Sequence, residues 1–153
     1  MNDQELALKL FVVLSRAHRA VERHSEQDIS RHGLSSGEFA ILEALYHKGP
    51  LLLGEVQRKI LVSSGGVTYL VDRLEAEGLV ERRECETDRR ARYAALTRKG
   101  EQLMKRIFPG HAAALERAVS GLNAEEKKQA VELLRRLGTT AAEELTRQQG
   151  SDR

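Results

Sequence analysis

The chain has 153 residues, of which 41% are hydrophobic and 31% are charged, and this balance predicts a globular protein with its own core. No run of ~18 apolar residues is present, which excludes an obvious transmembrane helix, and the acidic start M-N-D-Q-E-L is unlike a signal peptide. The single cysteine, Cys85, excludes an internal disulfide and fits a reducing cytoplasm. The net charge of +2 is only a weak indication of nucleic-acid binding, so the placement of the arginines matters more.

The first predicted element is one long helix over residues 3–31, which Gly33 ends as a C-cap. Its apolar residues form two adjacent stripes: Leu6, Leu10, Val13, Ala17 and Ala20 in one, and Phe11, Leu14, His18 and Val21 in the other. Two stripes are wider than the core of one small subunit requires, so we expect a partner subunit to cover part of this helix. The alternative is that both stripes pack within one subunit.

Three short elements are predicted next. Ser35 and Glu38 have the spacing of a capping box and open a second helix, which continues through His47. Residues 51–53 can form a short strand, and a short helix begins at Gly54. This short helix would be the first helix of a helix-turn-helix.

The stretch V-S-S-G-G-V-T-Y-L-V-D-R-L-E-A-E-G-L, residues 62–79, predicts a helix with clear ends. Ser63 or Ser64 supplies the N-cap, and Gly78 supplies the C′ position, where positive φ is favourable. A buried stripe at helical spacing comprises Val67, Leu70, Val71 and Leu74. The opposite face comprises Gly65, Thr68, Tyr69, Asp72 and Ala76, with Gly66 and Arg73 at its margin. Such a small, hydroxylic face can lie close against another polymer, and the alternative is a solvated helix face.

Two strands are predicted after this helix, over residues 79–85 and 92–96, and the polar turn E-T-D-R-R-A joins them. The turn contains Arg89 and Arg90, so the segment has the character of a basic wing. A helix followed by a wing is the arrangement of a winged helix-turn-helix, whose second helix enters the major groove of DNA. A basic wing tip can reach phosphates or the adjacent minor groove.

The last third of the chain is predicted to be helical. Thr97 caps a helix that the P-G dipeptide at Pro109 is expected to kink or break, because proline removes a hydrogen bond. Asn123 and Glu126 form another capping box and open a last helix, which precedes a frayed tail over residues 149–153. One face of this helix is apolar at coiled-coil-like spacing and comprises Ala130, Leu134, Leu137, Ala141 and Leu145.

Three motifs in this order resemble the multiple-antibiotic-resistance regulator (MarR) family of bacterial transcription factors: V-T-Y-L-V-D-R-L-E-A-E-G-L-V-E-R-R, then D-R-R, then L-T-R-K-G. The motifs span about residues 34–103. The resemblance implies a mainly α fold with a small β wing, in which residues 34–97 form a winged helix-turn-helix DNA-binding domain. Residues 1–33 and 98–148 would interleave to form a homodimer, which would read a pseudo-palindromic operator in double-stranded DNA.

The predicted DNA-binding residues lie on the 62–79 helix and in the wing: Ser63, Ser64, Gly65, Thr68, Tyr69, Asp72, Arg73, Arg89, Arg90 and Arg92. Groups at the helix N-terminus would meet phosphates. Tyr69 departs from the family, in which arginine is frequent at this place. The family pattern assigns the minor-groove contact to Arg90 and a wing-bracing role to Asp88. We expect Asp88 to hold either an arginine or the turn backbone, because an acid at a DNA-binding tip would otherwise only repel phosphate.

Many members of the family hold an aromatic or phenolic effector between the dimerisation helices and the winged domain, and release DNA when it binds. The residues that would border such a pocket here are Phe11, His18, Phe39, Tyr46 and Phe108, and plain core packing is the alternative role for each. Cys85 lies among arginines that lower a thiol pKa and carboxylates that raise it. It is either a redox-sensitive thiol or an incidental strand residue. The peroxide-sensing branch carries its reactive cysteine near the start of the first helix, where this chain has none.

No metal-ligand spacing, nucleotide-binding loop or nucleophile elbow is present, so we expect no enzyme activity, cofactor or metal. We expect a cytoplasmic, homodimeric, sequence-specific DNA-binding transcriptional regulator. It would be a repressor released by a small phenol- or quinone-like aromatic ligand or by thiol-reactive stress. Two alternatives stay open: a winged-helix module that binds a protein without specific DNA binding, and a small enzyme with an unrecognised site. Salt-dependent binding to bulk DNA would favour the regulator.

Overall fold

The computed structural model describes residues 1–60 and 64–151, with the backbone alone at residues 64, 65 and 151. The elements in chain order are α1 (Asp3–Ser30), α2 (Ser36–Lys48), β1 (Leu51–Leu52), α3 (Leu53–Ile60), α4 (Ser64–Ala76), β2 (Val80–Glu84), β3 (Arg92–Leu96), α5 (Arg98–Ala118) and α6 (Ala124–Ser151). The predicted fold class, mainly α with a small β wing, is confirmed. Contacts divide the chain into two units, residues 1–118 and 119–153, so α5 belongs to the unit that contains α1 to β3.

Local capping sets the starts of several helices, and two predicted capping boxes are confirmed. The Ser35 amide donates to the Glu38 carboxylate over 3.0 Å, and the Glu38 amide donates to the Ser35 hydroxyl over 3.2 Å. The Asn123 amide donates to the Glu126 carboxylate over 2.8 Å, and the Glu126 amide donates to the Asn123 side chain over 3.0 Å. A third capping box at residues 2–5 opens α1 and was not predicted.

The sheet is antiparallel, with the strand order β1-β3-β2. β2, β3 and the turn between them form the wing, residues 80–96, in which Glu84 lies opposite Arg92. β1 adds to the inner edge, with Leu51 opposite the fully buried Ala94. The short strand predicted over residues 51–53 is therefore confirmed at its first two residues, whereas Leu53 begins α3.

The core of residues 1–118 lies between α2, α3, α4, α5 and the sheet. Its fully buried side chains include Ile41, Leu42, Val56, Val71, Leu74 and Met104. The apolar stripe predicted for α4 is confirmed, because Val67, Val71 and Leu74 are buried and Leu70 packs against them from the edge. Gly78 follows α4 with a φ of 72°, as the predicted C′ position requires. One face of α4 is therefore fixed in the core, and the other is left outside.

The end of α4 is hydrogen-bonded to the start of α5. The Thr97 hydroxyl donates to the Gly78 carbonyl over 2.6 Å, and the Thr97 amide donates to the Leu79 carbonyl over 3.1 Å. The Lys99 ammonium donates to the Glu77 carbonyl over 2.7 Å. Three consecutive carbonyls are thus satisfied by Thr97, just before α5, and by Lys99 in its first turn, and the same threonine oxygen caps α5 by accepting from the Gly100 amide.

Of the two outcomes predicted at Pro109, a break is wrong, because α5 is continuous from Arg98 to Ala118. A proline inside a helix leaves the carbonyl four residues earlier without its amide partner. That carbonyl belongs to Lys105, an exposed residue, where water can satisfy it. Ile107 and His111 are buried on either side of Pro109, so tertiary packing holds the helix across it.

Large apolar side chains are exposed on both long terminal helices. On α1 they are Leu6, Leu8, Leu10, Phe11, Val12 and Val13. On α6 they are Val131, Leu133, Leu134, Leu137 and Leu145. α6 continues to Ser151, three residues beyond the predicted helix end at about residue 148. None of the described helices is long and apolar enough to cross a membrane.

Substitution of Gly100 tests the close packing at the junction between α4 and α5. A Cβ at this position would overlap the Leu79 carbonyl oxygen, so we expect Gly100→Ala to lower the free energy of unfolding by ~1–3 kcal/mol, measured by urea titration. Gly110→Ala in the same helix is the matched control, because a Cβ there meets nothing within 4 Å. Its helix propensity predicts a gain of up to ~1 kcal/mol. Equal stability of the two variants would contradict the close packing at Gly100.

Candidate nucleic-acid interface

The outer face of α4 carries the predicted groove-facing residues. Thr68, Tyr69, Asp72 and Arg73 are all exposed, and 60% of the surface of Tyr69 is accessible. The predicted residues at the helix N-terminus are Ser63, Ser64 and Gly65. Ser63 lies outside the described residues, and α4 begins at Ser64.

Asp72 is engaged by the wing. The Arg82 guanidinium on β2 donates to the Asp72 carboxylate over 2.6 Å and to the Glu75 carboxylate over 3.1 Å. The Arg82 amide also donates to Glu75 over 3.1 Å. This ion-pair network neutralises two acids on α4 that would repel phosphate, and it connects α4 to the wing.

Arg73 is engaged from the core side. Its Nε lies 2.9 Å from Oε1 of Glu38, whose side chain is only 2% exposed. Hydrogen bonding to the Tyr69 side chain and the negative charge of Glu38 raise the pKa of Arg73. Two of the predicted groove-facing residues, Asp72 and Arg73, therefore have partners within the subunit, which their spacing on α4 did not indicate.

The wing turn is organised by Asp88. Its carboxylate accepts the Arg90 amide over 2.9 Å, and its carbonyl accepts the Ala91 amide over 3.1 Å. Of the two partners expected for Asp88, the structure therefore has the turn backbone. Within the described part of the chain, the guanidinium groups of Arg89 and Arg90 make no hydrogen bond or ion pair. They project as unneutralised charge from the tip of the wing.

A depression of about 350 Å³ lies between α3 and the wing and is lined by several arginines. Its rim includes Arg58, Arg90 and Arg92, and Glu55 is the acid beside them. Arg92 is held by the carbonyl of Arg89 at 3.3 Å and lies near the Glu84 carboxylate. The wing and α3 therefore present a locally basic surface, despite the small net charge of the chain.

Cys85 lies where the wing turn leaves β2. Its sulfur is 3.2 Å from the Thr87 hydroxyl and 3.9 Å from the Tyr93 hydroxyl. Hydrogen bonds from the Thr87 side chain, and then from the Thr87 and Asp88 backbone, lower the pKa of Cys85. The sequence interpretation, which considered only the neighbouring arginines and carboxylates, missed this cause.

The residues predicted for an effector pocket fall into separate environments. Tyr46 and Phe108 pack together with ring centroids 5.9 Å apart, whereas Phe39 is buried against another ring. Phe11 is 68% exposed on α1, and His18 is exposed beside Glu22. Contacts within the described chain do not bring all five residues together.

The ring against Phe39 is His111, which the sequence did not single out. His111 is 3% exposed, its ring centroid is 4.4 Å from that of Phe39, and its Nδ1 lies 3.1 Å from the Asp28 carboxylate. The described residues offer no partner for Nε2. No spacing signal could have found this pair, because α1 and α5 bring Asp28 and His111 together from distant parts of the chain.

The Thr87 hydroxyl is the polar side-chain group closest to the Cys85 sulfur, at 3.2 Å, and is the first cause of its lowered pKa. Thr87→Val removes the main hydrogen bond to the sulfur, so the pKa of Cys85 should rise and less thiolate should be present at neutral pH. We expect slower alkylation by iodoacetamide at pH ~7 and a rate profile shifted to higher pH. Arg83→Ala is the control, since Arg83 engages Glu81 at 2.6 Å and should leave the profile unchanged. Coincident profiles for Thr87→Val and the native protein would contradict this cause.

Comparison with known proteins identifies the family of this chain. The MarR family model matches residues 32–91. The HTH-type transcriptional regulator MhqR of Bacillus subtilis (strain 168) is 47% identical over 137 residues, which cover 90% of this chain and 94% of MhqR. Sco3205, a MarR family transcriptional regulator from Streptomyces coelicolor solved in complex with DNA, has a TM-score of 0.78 at 25% identity. The match covers 92% of this chain and 93% of Sco3205. BpsR of Bordetella bronchiseptica, whose DNA binding is regulated by 6-hydroxynicotinic acid, has a TM-score of 0.76 at 26% identity. The match covers 85% of this chain and 98% of BpsR. The chain therefore belongs to the MarR family of winged-helix, DNA-binding transcriptional regulators.

Proposed function

We propose that this regulator is a homodimeric repressor, which binds a pseudo-palindromic operator through α4 and the wing and releases it when a small aromatic ligand binds. The observation that carries the DNA part of the proposal is the wing turn. Asp88 holds its backbone, and Arg89 and Arg90 present unneutralised guanidinium groups at its tip, with Arg90 beside α3. Guanidinium groups at a wing tip suit phosphates and a narrow minor groove.

On α4, Thr68 and Tyr69 are the proposed groove contacts. The exposed phenol of Tyr69 can donate to a phosphate or pack against a thymine methyl. Ser63, Ser64 and Gly65 stay predicted phosphate contacts, because amides at a helix N-terminus favour anions. Arg92 extends the basic surface of the wing, and a bound DNA backbone would follow that surface.

The homodimer is proposed from the terminal helices. Contiguous exposed apolar surface on a helix is a mark of association, and α1 carries six large apolar side chains of this kind. Residues 1–33 and 98–148 are the proposed dimerisation segments. A two-fold dimer would place its two α4 helices about one DNA turn, ~34 Å, apart.

For the effector we propose a small aromatic phenol- or quinone-like molecule. BpsR, whose DNA binding responds to 6-hydroxynicotinic acid, is a structural relative that supports this class of ligand. The rings of Phe39 and His111 pack together and are almost fully buried, so a ligand would reach them only by opening the packing around them, and His111 Nε2 could then bond a phenolic hydroxyl while Nδ1 stays on Asp28. His111 lies on α5, whose start is hydrogen-bonded to the end of α4. A ligand that displaces His111 would therefore also displace α5 and, through these hydrogen bonds, the DNA-binding face of α4.

Thiol-reactive stress is the second candidate trigger. The lowered pKa of Cys85 favours the reactive thiolate, and the cysteine adjoins the wing turn. Modification there would disturb the turn that presents Arg89 and Arg90.

The wing assignment is tested by two substitutions. Arg90→Ala should cost ~1–3 kcal/mol of operator binding if the side chain reads a narrow groove or base edge. If it only neutralises a phosphate, the salt slope should fall by about one unit and all sequences should bind less well. Fluorescence anisotropy across a salt series, on genomic fragments selected by the native protein, distinguishes the two roles.

Asp88→Ala separates bracing from bulk charge. The substitution removes a negative charge, so simple electrostatics predicts tighter DNA binding. The bracing role predicts weaker binding, because the turn that presents Arg90 loses its hydrogen bond. Glu86→Ala removes one exposed acid from the same turn and is the charge-matched control. Unchanged or tighter binding by Asp88→Ala would falsify the bracing role.

The effector is tested by calorimetry with a panel of phenols and quinones, with and without operator DNA. We expect a ligand that raises the operator Kd by ~5–150-fold and whose effect is lost in His111→Gln. That variant keeps a donor toward Asp28 but lacks the ring. Cys85→Ser should retain the response to non-electrophilic phenols, and it should lose the response to quinones only if the thiol is the trigger. Equal ligand affinity of free and DNA-bound protein would count against the proposal, because release requires differential affinity.

A further inference from the structure

Glu38 is a buried negative charge between α2 and α4. Its side chain is 2% exposed, and its Oε2 accepts the Ser35 amide as part of the α2 cap. The other oxygen, Oε1, is buried and accepts no hydrogen bond from the described residues, yet it lies 2.9 Å from Nε of Arg73. The second oxygen is therefore compensated by the charge of Arg73 rather than by a directed hydrogen bond, and α2 needs this arginine.

The same two helices also pack closely beside the ion pair. A Cβ on Gly37 would lie 2.7 Å from a methyl carbon of Leu70, so the backbone of α2 rests directly on α4. Leu70 and Arg73 are three residues apart and occupy adjacent positions on one side of α4. An apolar contact and an ionic contact at neighbouring points fix the rotation of α4 about its own axis.

From this contact, Arg73 connects to the outer face of α4. Tyr69 is one helical turn before Arg73, so the two side chains are neighbours on the surface of α4. Tyr69 itself is 60% exposed. The ion pair with the buried Glu38 carboxylate therefore holds Arg73 next to the residue whose phenol lies on the proposed DNA-binding face.

We propose that Glu38 and Arg73 set the orientation of α4 and of Tyr69 for operator binding, and that Arg73 is a positioning residue rather than a DNA contact. This inference rests on the proposed function. It replaces the sequence-based prediction that Arg73 faces the groove.

Removing Arg73 alone should destabilise the protein more than removing Arg73 together with the charge of Glu38. Removing Arg73 leaves a buried carboxylate without a counter-charge, and such a group must be hydrated by opening the structure around it. The α2–α4 contact would open, and Tyr69 would lose its place. Replacing Glu38 with glutamine removes the charge and keeps the shape and an acceptor for the Ser35 amide. Glu38→Gln should therefore rescue Arg73→Ala.

The contact is tested first without DNA, by thermal unfolding of the full chain. Arg73→Ala should lower Tm by roughly 5 °C or more, and Glu38→Gln/Arg73→Ala should regain at least about half of that loss. Arg83→Ala is the matched control, since it breaks an ion pair with the exposed Glu81 and should shift Tm by no more than ~2 °C. Arg73→Ala that unfolds while the double variant folds would also support the proposal. No rescue, or failure of both variants to fold, would overturn it.

The positioning role is tested with selected operator DNA in a salt series. Arg73→Ala should weaken operator binding ~10-fold at every salt concentration with an unchanged salt slope. The double variant Glu38→Gln/Arg73→Ala should bind operator with an affinity within ~3-fold of that of the native protein. Arg90→Ala is the reference for a direct contact. A slope lowered by about one unit in Arg73→Ala, without rescue, would make Arg73 a phosphate contact and overturn the proposal. Absence of salt-dependent binding by the native protein would refute the proposed function instead, and the unfolding experiment would still decide the ion pair.

Discussion

A helix that reads DNA must leave one face open, so it can be held only from its opposite face and its ends. α4 is held in these ways. Its apolar stripe lies in the core, and Thr97 and Lys99, at the start of α5, satisfy the three carbonyls that follow it. Arg73 joins it to the buried carboxylate of Glu38. Because core residues are close-packed, a displacement of α2 or α5 must be accompanied by a displacement of α4.

The wing depends on the same helix. Arg82 joins β2 to two acids of α4, so the hairpin keeps a defined position relative to the face that would meet a DNA groove. At the hairpin tip an acid is used for structure, since Asp88 bonds the backbone of the turn and leaves the arginine side chains free of it. Positive charge is therefore placed locally, which explains how a chain with a net charge of only +2 presents a basic tip.

The parts of the fold that were predictable are those encoded by neighbours in sequence. The capping box of Ser35 and Glu38 involves residues three apart, and the α4 stripe repeats with the helical period, so both are visible as patterns. Contacts across the fold leave no such pattern. The pairing of Asp28 with His111 depends on how α1 meets α5, and the second partner of Glu38 depends on how α2 meets α4. Of the kink or break predicted at Pro109, the break was wrong for the same reason, because burial on both sides of the proline outweighed its local preference.

The most direct measurement of the central claim is amide hydrogen exchange of the full-length protein, with and without saturating operator DNA. We expect DNA to slow exchange in residues 64–76, which form α4, and in the turn of the wing, residues 85–91. The change should be smaller at the α4–α5 junction, where the hydrogen bonds already exist in the free protein. Unchanged exchange in both α4 and the wing turn of the DNA-bound protein, with protection elsewhere, would show that DNA does not bind through these elements.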